Sequence, residues 1–237
     1  MRWSVVIPAF NEARRLPPYL EEVLGFFDGR GEPYEVLVAD DGSTDSTVAA
    51  VRALGARHPA LRVLPLGRNR GKGAAVRAGM LAATGAYRLF TDADGATPIA
   101  ELKRLEAALA AGADIAIASR VLVDPSVSVA TRRSRVAAGR VFNWLVARLG
   151  LRGIADSQCG FKAFTAAAAE RLFGRLQSDG FGFDVELLLR AQAAGYRVVE
   201  VAVNWSDQAG SKVGVLTTGP GMLLEILRAR RRIRGAP

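Results

Sequence analysis

The stretch LFTDADGATP, residues 89–98, is an apolar, strand-like run that ends in two carboxylates one residue apart, followed by Gly and Pro. Side chains at i and i+2 of an extended chain lie on the same side, so Asp92 and Asp94 are expected to converge on one small volume. Like charges at that distance repel each other unless a cation or a shared proton lies between them. The residues alone leave three interpretations open: a divalent-cation site, an acid pair, or a polar turn at the end of a strand.

Similar strand-like runs recur before and after this stretch and alternate with segments whose apolar residues have helical spacing. A series of this kind predicts an α/β fold with a mostly parallel central sheet and helices on both faces. Ligands of such sheets bind beyond the carboxyl ends of the strands, where Asp40, Asp41, Asp92 and Asp94 all fall. The runs are WSVVIP (3–8), YEVLVAD (34–40), LRVLPL (61–66), YRLFTD (87–92), ADIAIAS (113–119) and YRVVEVAVNW (196–205).

Composition argues against several classes of chemistry. One cysteine, Cys159, and one histidine, His58, make a disulfide framework, a zinc site and His-based catalysis unexpected. No GxGxxG follows the first strand and no GxxxxGK occurs, which argues against a dinucleotide-binding fold and a P-loop. The N-terminus lacks a signal-peptide pattern and no apolar run has the length of a membrane span, so the expected location is the cytoplasm.

The net charge of +9 comes from two segments that are also rich in large apolar residues. Residues 120–152 carry +6 and residues 222–234 carry +4, which leaves the remainder close to neutral. Such segments favour an anionic partner, and nucleic acid is not expected because no nucleic-acid-binding motif accompanies the charge. We expect residues 1–212 to form the α/β domain. Residues 213–237 should form a basic amphipathic helix that contacts a membrane surface or a second copy of the chain in a homo-oligomer.

Seven motifs, in order along the chain, carry a resemblance to a known family. The chain resembles the family 2 glycosyltransferases with a GT-A fold, and within them the branch that uses polyprenyl phosphate. Its motifs are more similar to the dolichyl-phosphate glucosyltransferase type than to the mannose synthase type. The motifs are VIPAFNE (6–12), ADDGSTD (39–45), NRGKGAAVRAG (69–79), TDADG (91–95), SR (119–120), DSQCGFKAF (156–164) and GSK (210–212).

The resemblance implies a nucleotide-sugar donor. Asp40, at the end of a strand, would accept hydrogen bonds from the base, and a carboxylate suits either uracil or guanine. Pro8 and Ala9 would line the nucleoside, where Pro8 ends a strand without needing a partner for an N–H group. Glu12 would reach the ribose hydroxyls, although a carboxylate in a first helical turn is also favoured by the helix dipole.

The same resemblance implies a divalent cation, Mg²⁺ or Mn²⁺, held by Asp92 and Asp94. Such a cation stabilises the negative charge that the leaving nucleoside diphosphate gains. The mannose synthases place a Gln two residues after the second Asp as a further ligand, where this chain has Ala96, so either water fills that position or the metal is held more loosely. Phosphate charge would be neutralised by basic side chains: Lys72, Arg120 and Lys212.

The implied acceptor is a lipid monophosphate, whose second pKa of about 6 makes its oxygen an anionic nucleophile at neutral pH. No strong base is then required. Asp156 would lie beside the reacting sugar, where it orients the acceptor or takes a residual proton, with Asp184 and Glu186 as alternatives. Arg132 and Arg133 would bind the acceptor phosphate, because the guanidinium fork matches a pair of phosphate oxygens.

The function expected from this resemblance is that of an inverting hexosyltransferase. It would move glucose from UDP-glucose onto polyprenyl or dolichyl phosphate, while peripherally bound to the cytoplasmic face of a membrane. GDP-mannose as donor, or a soluble acceptor, would use the same fold. A nucleotidyltransferase would need a Gly-rich, Arg-containing loop after the first strand, which PAFNE does not provide. A non-catalytic scaffold gives no reason for four acids to share one crevice: Asp40, Asp92, Asp94 and Asp156.

Overall fold

The computed structural model describes residues 2–130, 142, 145–208 and 215–234, with the backbone alone for residues 215–220 and 234. In this part of the chain, strands and helices alternate as far as residue 119. The strands are β1 (Trp3–Ala9), β2 (Tyr34–Asp40), β3 (Leu61–Pro65), β4 (Tyr87–Thr91), β5 (Ile115–Ser119), β6 (Val129–Ala130), β7 (Phe161–Thr165), β8 (Val198–Ala202) and β9 (Trp205–Ser206). The helices are α1 (Leu16–Asp28), α2 (Thr47–Gly55), α3 (Lys72–Ala82), α4 (Leu102–Ala110), α5 (Ala166–Phe173), α6 (Phe183–Ala193) and α7 (Val215–Arg234).

Seven strands form one sheet in the order β3-β2-β1-β4-β7-β5-β8. All neighbours are parallel except that β7 runs antiparallel to both β4 and β5. The predicted mostly parallel α/β fold is confirmed, and the six predicted strands are all present. Strand β7 was not predicted, because Lys162 interrupts its apolar run. The structure accommodates this cation by pairing it with Asp184 of α6 at 2.5 Å.

Alternate side chains of the strands enter two separate cores, as expected for a sheet covered on both faces. Val5 and Ile7 of β1 pack with apolar residues of α1, α2 and α4. Val6 points the other way and packs with the core of α3, α5 and α6. Ile226 of α7 is fully buried in this second core, which fixes the C-terminal helix against the sheet domain.

Helix α7 has one buried side and one exposed side. Ile226 and Ala229 are fully buried, whereas Leu224 and Leu227 are 48% and 37% exposed. The predicted amphipathic C-terminal helix is therefore present. In the segments that the structure describes, no helix has the combination of length and apolar character that is needed to cross a membrane.

Candidate active site

A cavity of about 370 Å³ opens beyond the carboxyl ends of β1 and β4, against the start of α3. Six of the side chains expected at a donor site line it, contributed by β1, the turn after β1, the start of α3 and the turn after β4. These residues are Pro8, Ala9, Glu12, Lys72, Asp92 and Asp94. Their convergence follows from the sheet order, in which β1 and β4 are neighbours and both run toward this edge.

Asp92 and Asp94 lie at the end of β4, and each faces a cation of the protein. Lys72 Nζ is 2.6 Å from Asp92 Oδ1, and Arg15 Nη1 is 3.9 Å from Asp94 Oδ2. Burial raises the pKa of Asp94 above its usual range, and the neighbouring charge of Asp92 raises it further. Burial alone would lower the pKa of Lys72, but the charges of Asp92 and Asp184 raise it overall. Two carboxylates with this mutual repulsion favour added positive charge between them.

The donor set fits a hard divalent cation that is bound only in part by the protein. Mg²⁺ and Mn²⁺ prefer oxygen ligands, and a Mg²⁺ site commonly combines one or two carboxylates with phosphate oxygens and water. Asp92 and Asp94 supply such carboxylates. Among the described residues, no group of three or more His, Cys, Asp or Glu side chains is arranged to hold a metal ion. The remaining ligands of a cation here would thus come from a bound diphosphate and water.

Buried Asp156 and partly exposed Arg120 form an ion pair beside this acid pair. Arg120 donates from Nε to Asp156 Oδ2 at 2.7 Å and from Nη2 to Oδ1 at 2.8 Å, and its backbone N–H also donates to Oδ2 at 3.0 Å. Burial alone would raise the pKa of Asp156, but the hydrogen bonds and the charge of Arg120 lower it below its usual range. Glu200 accepts the backbone N–H of Asp156 at 2.8 Å and fixes the start of the loop.

The loop that begins at Asp156 packs directly on the acid pair. The backbone N–H of Asp92 donates to the carbonyl oxygen of Gly160 at 2.9 Å. A Cβ atom at Gly160 would lie only 2.1 Å from Asp92 Oδ2, so the close approach requires glycine. Neither Asp156 nor Arg120 lines the cavity itself. The structure thus places this ion pair just beyond the wall that Asp92 forms.

The two consecutive acids at the end of β2, Asp40 and Asp41, have different surroundings. Asp40 is 4% exposed, and its carboxylate accepts the backbone N–H of Ser43 at 3.2 Å. Asp41 lines the cavity and accepts the N–H groups of Arg70 and Gly71, both at 2.8 Å. Asp41, to which the sequence assigned no role, therefore fixes the turn that carries Lys72. Asp40, predicted to contact the base, is not among the residues that line this cavity.

Arg15 and Phe181 are further lining residues that sequence reasoning missed. Arg15 forms a two-point ion pair with Glu12, at 2.8 Å from Nε and 2.6 Å from Nη2. Its Nη1 has no hydrogen-bond partner among the described residues. The spacing of Glu12 and Arg15, three residues apart in an acidic-basic pair, is a signal that could have indicated this contact. Phe181 comes from the loop before α6 and has no local sequence signal.

Several expected site residues have other roles or no described position. Asp184 pairs with Lys162, and Glu186 accepts the N–H groups of Gln177 and Ser178 at 3.2 and 2.8 Å, so both acids are engaged in structural contacts. Burial raises the pKa of the Cys159 thiol to about 12. The acceptor-phosphate candidates Arg132 and Arg133, and the donor-phosphate candidate Lys212, lie outside the described residues.

An acid pair at the end of a parallel strand, with a cation beside it and a cavity next to it, is the arrangement that the motifs predict for a glycosyltransferase of the GT-A fold. The glycosyl transferase family 2 model matches residues 4–173, and the chain belongs to this family. The resemblance noted in the motifs is thereby confirmed.

Proteins similar in sequence include several dolichyl-phosphate beta-glucosyltransferases. The protein of that name from Drosophila melanogaster is 44% identical over 224 residues, which are 89% of this chain and 68% of the relative. The one from Dictyostelium discoideum is 38% identical over 243 residues, covering 97% of this chain and 74% of the relative. The human one is 39% identical over 226 residues, covering 89% and 69%.

Solved structures share the fold at low sequence identity. Glucosyl-3-phosphoglycerate synthase from Mycobacterium tuberculosis, in complex with Mn²⁺, UDP and phosphoglyceric acid, superposes with a TM-score of 0.73 at 21% identity. The likeness covers 100% of this chain and 79% of that one. The complex of the same enzyme with Mn²⁺ and UDP-glucose gives a TM-score of 0.73 at 22% identity. The GT-A fold expected from the sequence is confirmed.

Proposed function

We propose that the protein is an inverting, metal-dependent glucosyltransferase that moves glucose from UDP-glucose onto a polyprenyl phosphate such as dolichyl phosphate. The observation that carries the proposal is the acid pair Asp92 and Asp94 on the wall of the cavity, with Lys72 Nζ 2.6 Å from Asp92. The substrates are argued from the relatives named dolichyl-phosphate beta-glucosyltransferase.

The donor would occupy the cavity with its nucleoside toward β1 and its diphosphate toward β4. Pro8 and Ala9 offer an apolar wall, and Glu12 offers a carboxylate for ribose hydroxyls. The two acids at the end of β2, Asp40 and Asp41, are assigned to the base of the nucleotide. Asp41 reaches the cavity directly, whereas Asp40 would act on the base only from behind the lining.

The diphosphate half is assigned to Asp92, Asp94, Lys72 and Arg15. Asp92 and Asp94 would hold Mg²⁺ or Mn²⁺, which when bound supplies positive charge to the departing nucleoside diphosphate. Lys72 and Arg15 already face these carboxylates. A bound diphosphate would offer both cations new anionic partners and so separate them from the acid pair. The cations then contribute to binding and to stabilising the charge of the leaving group.

The acceptor would approach from the side of the Asp156–Arg120 pair. Its phosphate oxygen is already anionic near neutral pH, so the attack on the sugar needs no strong base. Because Asp156 is held ionised by a two-point contact with Arg120, its proposed role is to orient that guanidinium toward phosphate and to stabilise positive charge on the reacting sugar. Arg132, Arg133 and Lys212 remain proposed phosphate contacts.

A lipid acceptor calls for contact with a membrane surface, which we assign to the exposed side of α7. Leu224 and Leu227 are exposed there beside three exposed arginines: Arg228, Arg231 and Arg232. An apolar stripe flanked by Arg is typical of a helix that lies on an anionic bilayer. A homo-oligomer would use the same stripe, and an association assay without lipid distinguishes the two occupants. The proposed side of the membrane is the cytoplasmic one.

The test is transfer of labelled glucose from UDP-glucose to dolichyl phosphate, measured as label in the organic phase in the presence of Mn²⁺. GDP-mannose is supplied in parallel, and phosphoglyceric acid is the soluble acceptor control. We expect the wild type to produce lipid-linked label from UDP-glucose. Asp94→Asn should reduce this label at least about a hundredfold, because the negative charge of the leaving group is no longer stabilised. Label that appears only with GDP-mannose, or only on the soluble acceptor, would overturn the assignment.

A further inference from the structure

Glu225 of α7 is hydrogen-bonded to the loop that precedes α6. Its Oε1 accepts the backbone N–H of Gly180 at 3.0 Å, and its Oε2 accepts that of Gly182 at 2.8 Å. A Cβ at Gly180 would lie 2.6 Å from Oε1, and one at Gly182 would lie 2.7 Å from Oε2. The two glycines therefore let the loop backbone close directly over the carboxylate.

The other side of this loop lies against the turn that presents Lys72. The backbone N–H of Ala74 donates to the carbonyl oxygen of Asp179 at 3.1 Å. Arg77 of α3 adds an ion pair to the Asp179 side chain at 2.7 Å. Phe181, between the two glycines, lines the cavity. One short loop thus contacts Glu225 on one side and the donor cavity on the other.

Glu225 is itself held in place by packing. The next residue, Ile226, is fully buried, and Met222 packs against the same core. Glu225 also lies outside residues 4–173, the part of the chain that the family model matches. Within residues 222–234 it is the one acidic side chain in a segment with five arginines. The two hydrogen bonds that it accepts from backbone N–H groups explain why a carboxylate occupies this position.

We infer that Glu225 is a positioning residue for donor binding. Its carboxylate holds the loop before α6, residues 178–182, and this loop holds Phe181 and the turn that carries Lys72 at the cavity. Buried N–H groups that lose a charged acceptor must find water, so the loop would open without it. The inference rests on the proposed function for the identity of the ligand, and on the geometry alone for the loop. It also connects the helix assigned to the membrane surface with the donor cavity.

The first test is hydrogen exchange without any ligand. In Glu225→Gln the side chain keeps its shape, but one acceptor becomes an NH₂ group that faces an N–H. We expect the amides of Gly180 and Gly182 to exchange about tenfold faster, and the Ala74 amide to accelerate with them. Glu21→Gln, an exposed substitution on α1, is the matched control and should leave all three amides unchanged. Unchanged exchange at Gly180 and Gly182 in Glu225→Gln would overturn the inference.

The second test is affinity for UDP with Mn²⁺, measured by calorimetry. We expect Glu225→Gln to bind about five- to tenfold more weakly than the wild type, and Glu21→Gln to bind equally well. In turnover the KM for the nucleotide sugar should rise by a similar factor, whereas a merely structural defect would lower kcat by reducing the active fraction. Faster exchange with unchanged UDP affinity would also overturn the inference, because the loop would then not position the cavity.

A second variant allows the inference to be tested even if Glu225→Gln does not fold. Gly182→Ala acts from the loop side, since its Cβ would lie 2.7 Å from Oε2 and 2.8 Å from Cβ of Glu225 and would displace that side chain. It should reproduce the faster exchange at Gly180 and Ala74. If the wild type binds no UDP, the proposed function fails, and the ligand-free exchange of the three amides decides the inference on its own.

Discussion

The Asp156 carboxylate and the Arg120 guanidinium meet at two points, with Nε–Oδ2 and Nη2–Oδ1 distances of 2.7 and 2.8 Å. The pair is asymmetric in exposure, because the Asp156 side chain is 1% exposed and that of Arg120 is 28% exposed. The guanidinium also lies 5.4 Å from the centre of the Trp205 ring. Asp156 therefore fixes the orientation of Arg120, and Arg120 is the member of the pair that a substrate can reach.

This pair gives a prediction for the pH dependence of stability. The pKa of Asp156 is lowered in the folded state, so its stabilising contribution is present above the unfolded-state pKa of about 3.9 and is lost as pH falls toward the folded-state value. Asp156→Asn should lower the free energy of unfolding by about 2–3 kcal/mol at pH 7. The difference between the two proteins should shrink below about pH 4, where Asp156 of the wild type takes up a proton in the unfolded state but stays ionised in the folded state.

Urea unfolding of both proteins at several pH values between 7 and 3 measures this difference. Other carboxylates titrate in both proteins and cancel in the comparison. A gap that stays constant down to pH 3 would contradict the assigned state of Asp156.

Gly160→Ala tests the contact between the Asp156 loop and the acid pair. The added Cβ would lie 2.1 Å from Asp92 Oδ2 and must displace that carboxylate. We expect at least about a tenfold loss of Mn²⁺-dependent transfer, because small displacements of an aligned group lower rates steeply. Gly25→Ala on α1 is the control, since nothing lies within 4 Å of its added Cβ.

The control should keep full activity and gain about 0.5–1 kcal/mol of stability, as expected for alanine in a helix. Mn²⁺ titration of activity locates the defect of Gly160→Ala. Normal metal dependence together with full activity would show that the close approach to Asp92 has no functional consequence.

The buried pair Lys162 and Asp184 predicts non-additive effects on stability. Lys162 Nζ also donates to the carbonyl oxygen of Cys159 at 2.7 Å, and the two charged side chains are only 0% and 4% exposed. Lys162→Met leaves Asp184 as an unpaired buried charge and should cost about 3–5 kcal/mol of unfolding free energy.

Adding Asp184→Leu to Lys162→Met should restore most of that stability, because the remaining buried charge is removed. Denaturant unfolding of the two single variants and the double variant completes the cycle. Additive losses would mean that the two side chains do not depend on each other.

The exposed arginines of α7 predict binding to anionic vesicles. Each basic residue near an anionic surface contributes about 1 kcal/mol, so Arg228→Glu with Arg232→Glu should weaken binding to phosphatidylserine vesicles at least about thirtyfold. Arg52→Glu with Arg57→Glu, on and just after α2 at the opposite face of the sheet, makes the same charge change elsewhere and should have little effect.

The affinities are measured by vesicle co-sedimentation. The salt concentration is held fixed, because ions screen contacts between charged groups. Size-exclusion chromatography without lipid provides the second readout. A change in oligomeric state with unchanged vesicle binding would assign the exposed stripe to a homo-oligomer.

Sequence reasoning located those parts of the site that depend on local order. Asp92 and Asp94 follow an apolar run with a clear end, so their position beyond β4 was predictable from period and turn chemistry. Strand β7 was not predictable, since a lysine near its start is explained only by its partner Asp184, 22 residues later. Likewise, which of Asp40 and Asp41 reaches the cavity depends on how β2 ends next to β1, a property of the assembled sheet.

Contacts made by the second half of the chain were the hardest to predict. Phe181 reaches the cavity because a loop is held between α3 and α7, and none of those contacts leaves a local pattern. Arg15 meets Asp94 across two turns that are 79 residues apart. Such pairings depend on the topology of the fold, whereas the patterns that predict strands, helices and turns extend over only a few neighbouring residues.

The reversed direction of β7 has a consequence for how such a protein can diversify. Segments that leave β1, β2 and β4 line the cavity, but the Asp156–Gly160 segment enters its strand at the same edge of the sheet. One side of the site is thus built from segments that leave the sheet, and the other side from a segment that enters it. Evolution can lengthen or exchange the incoming segment, and so change one side of the site, while the outgoing turns that line the cavity stay as they are.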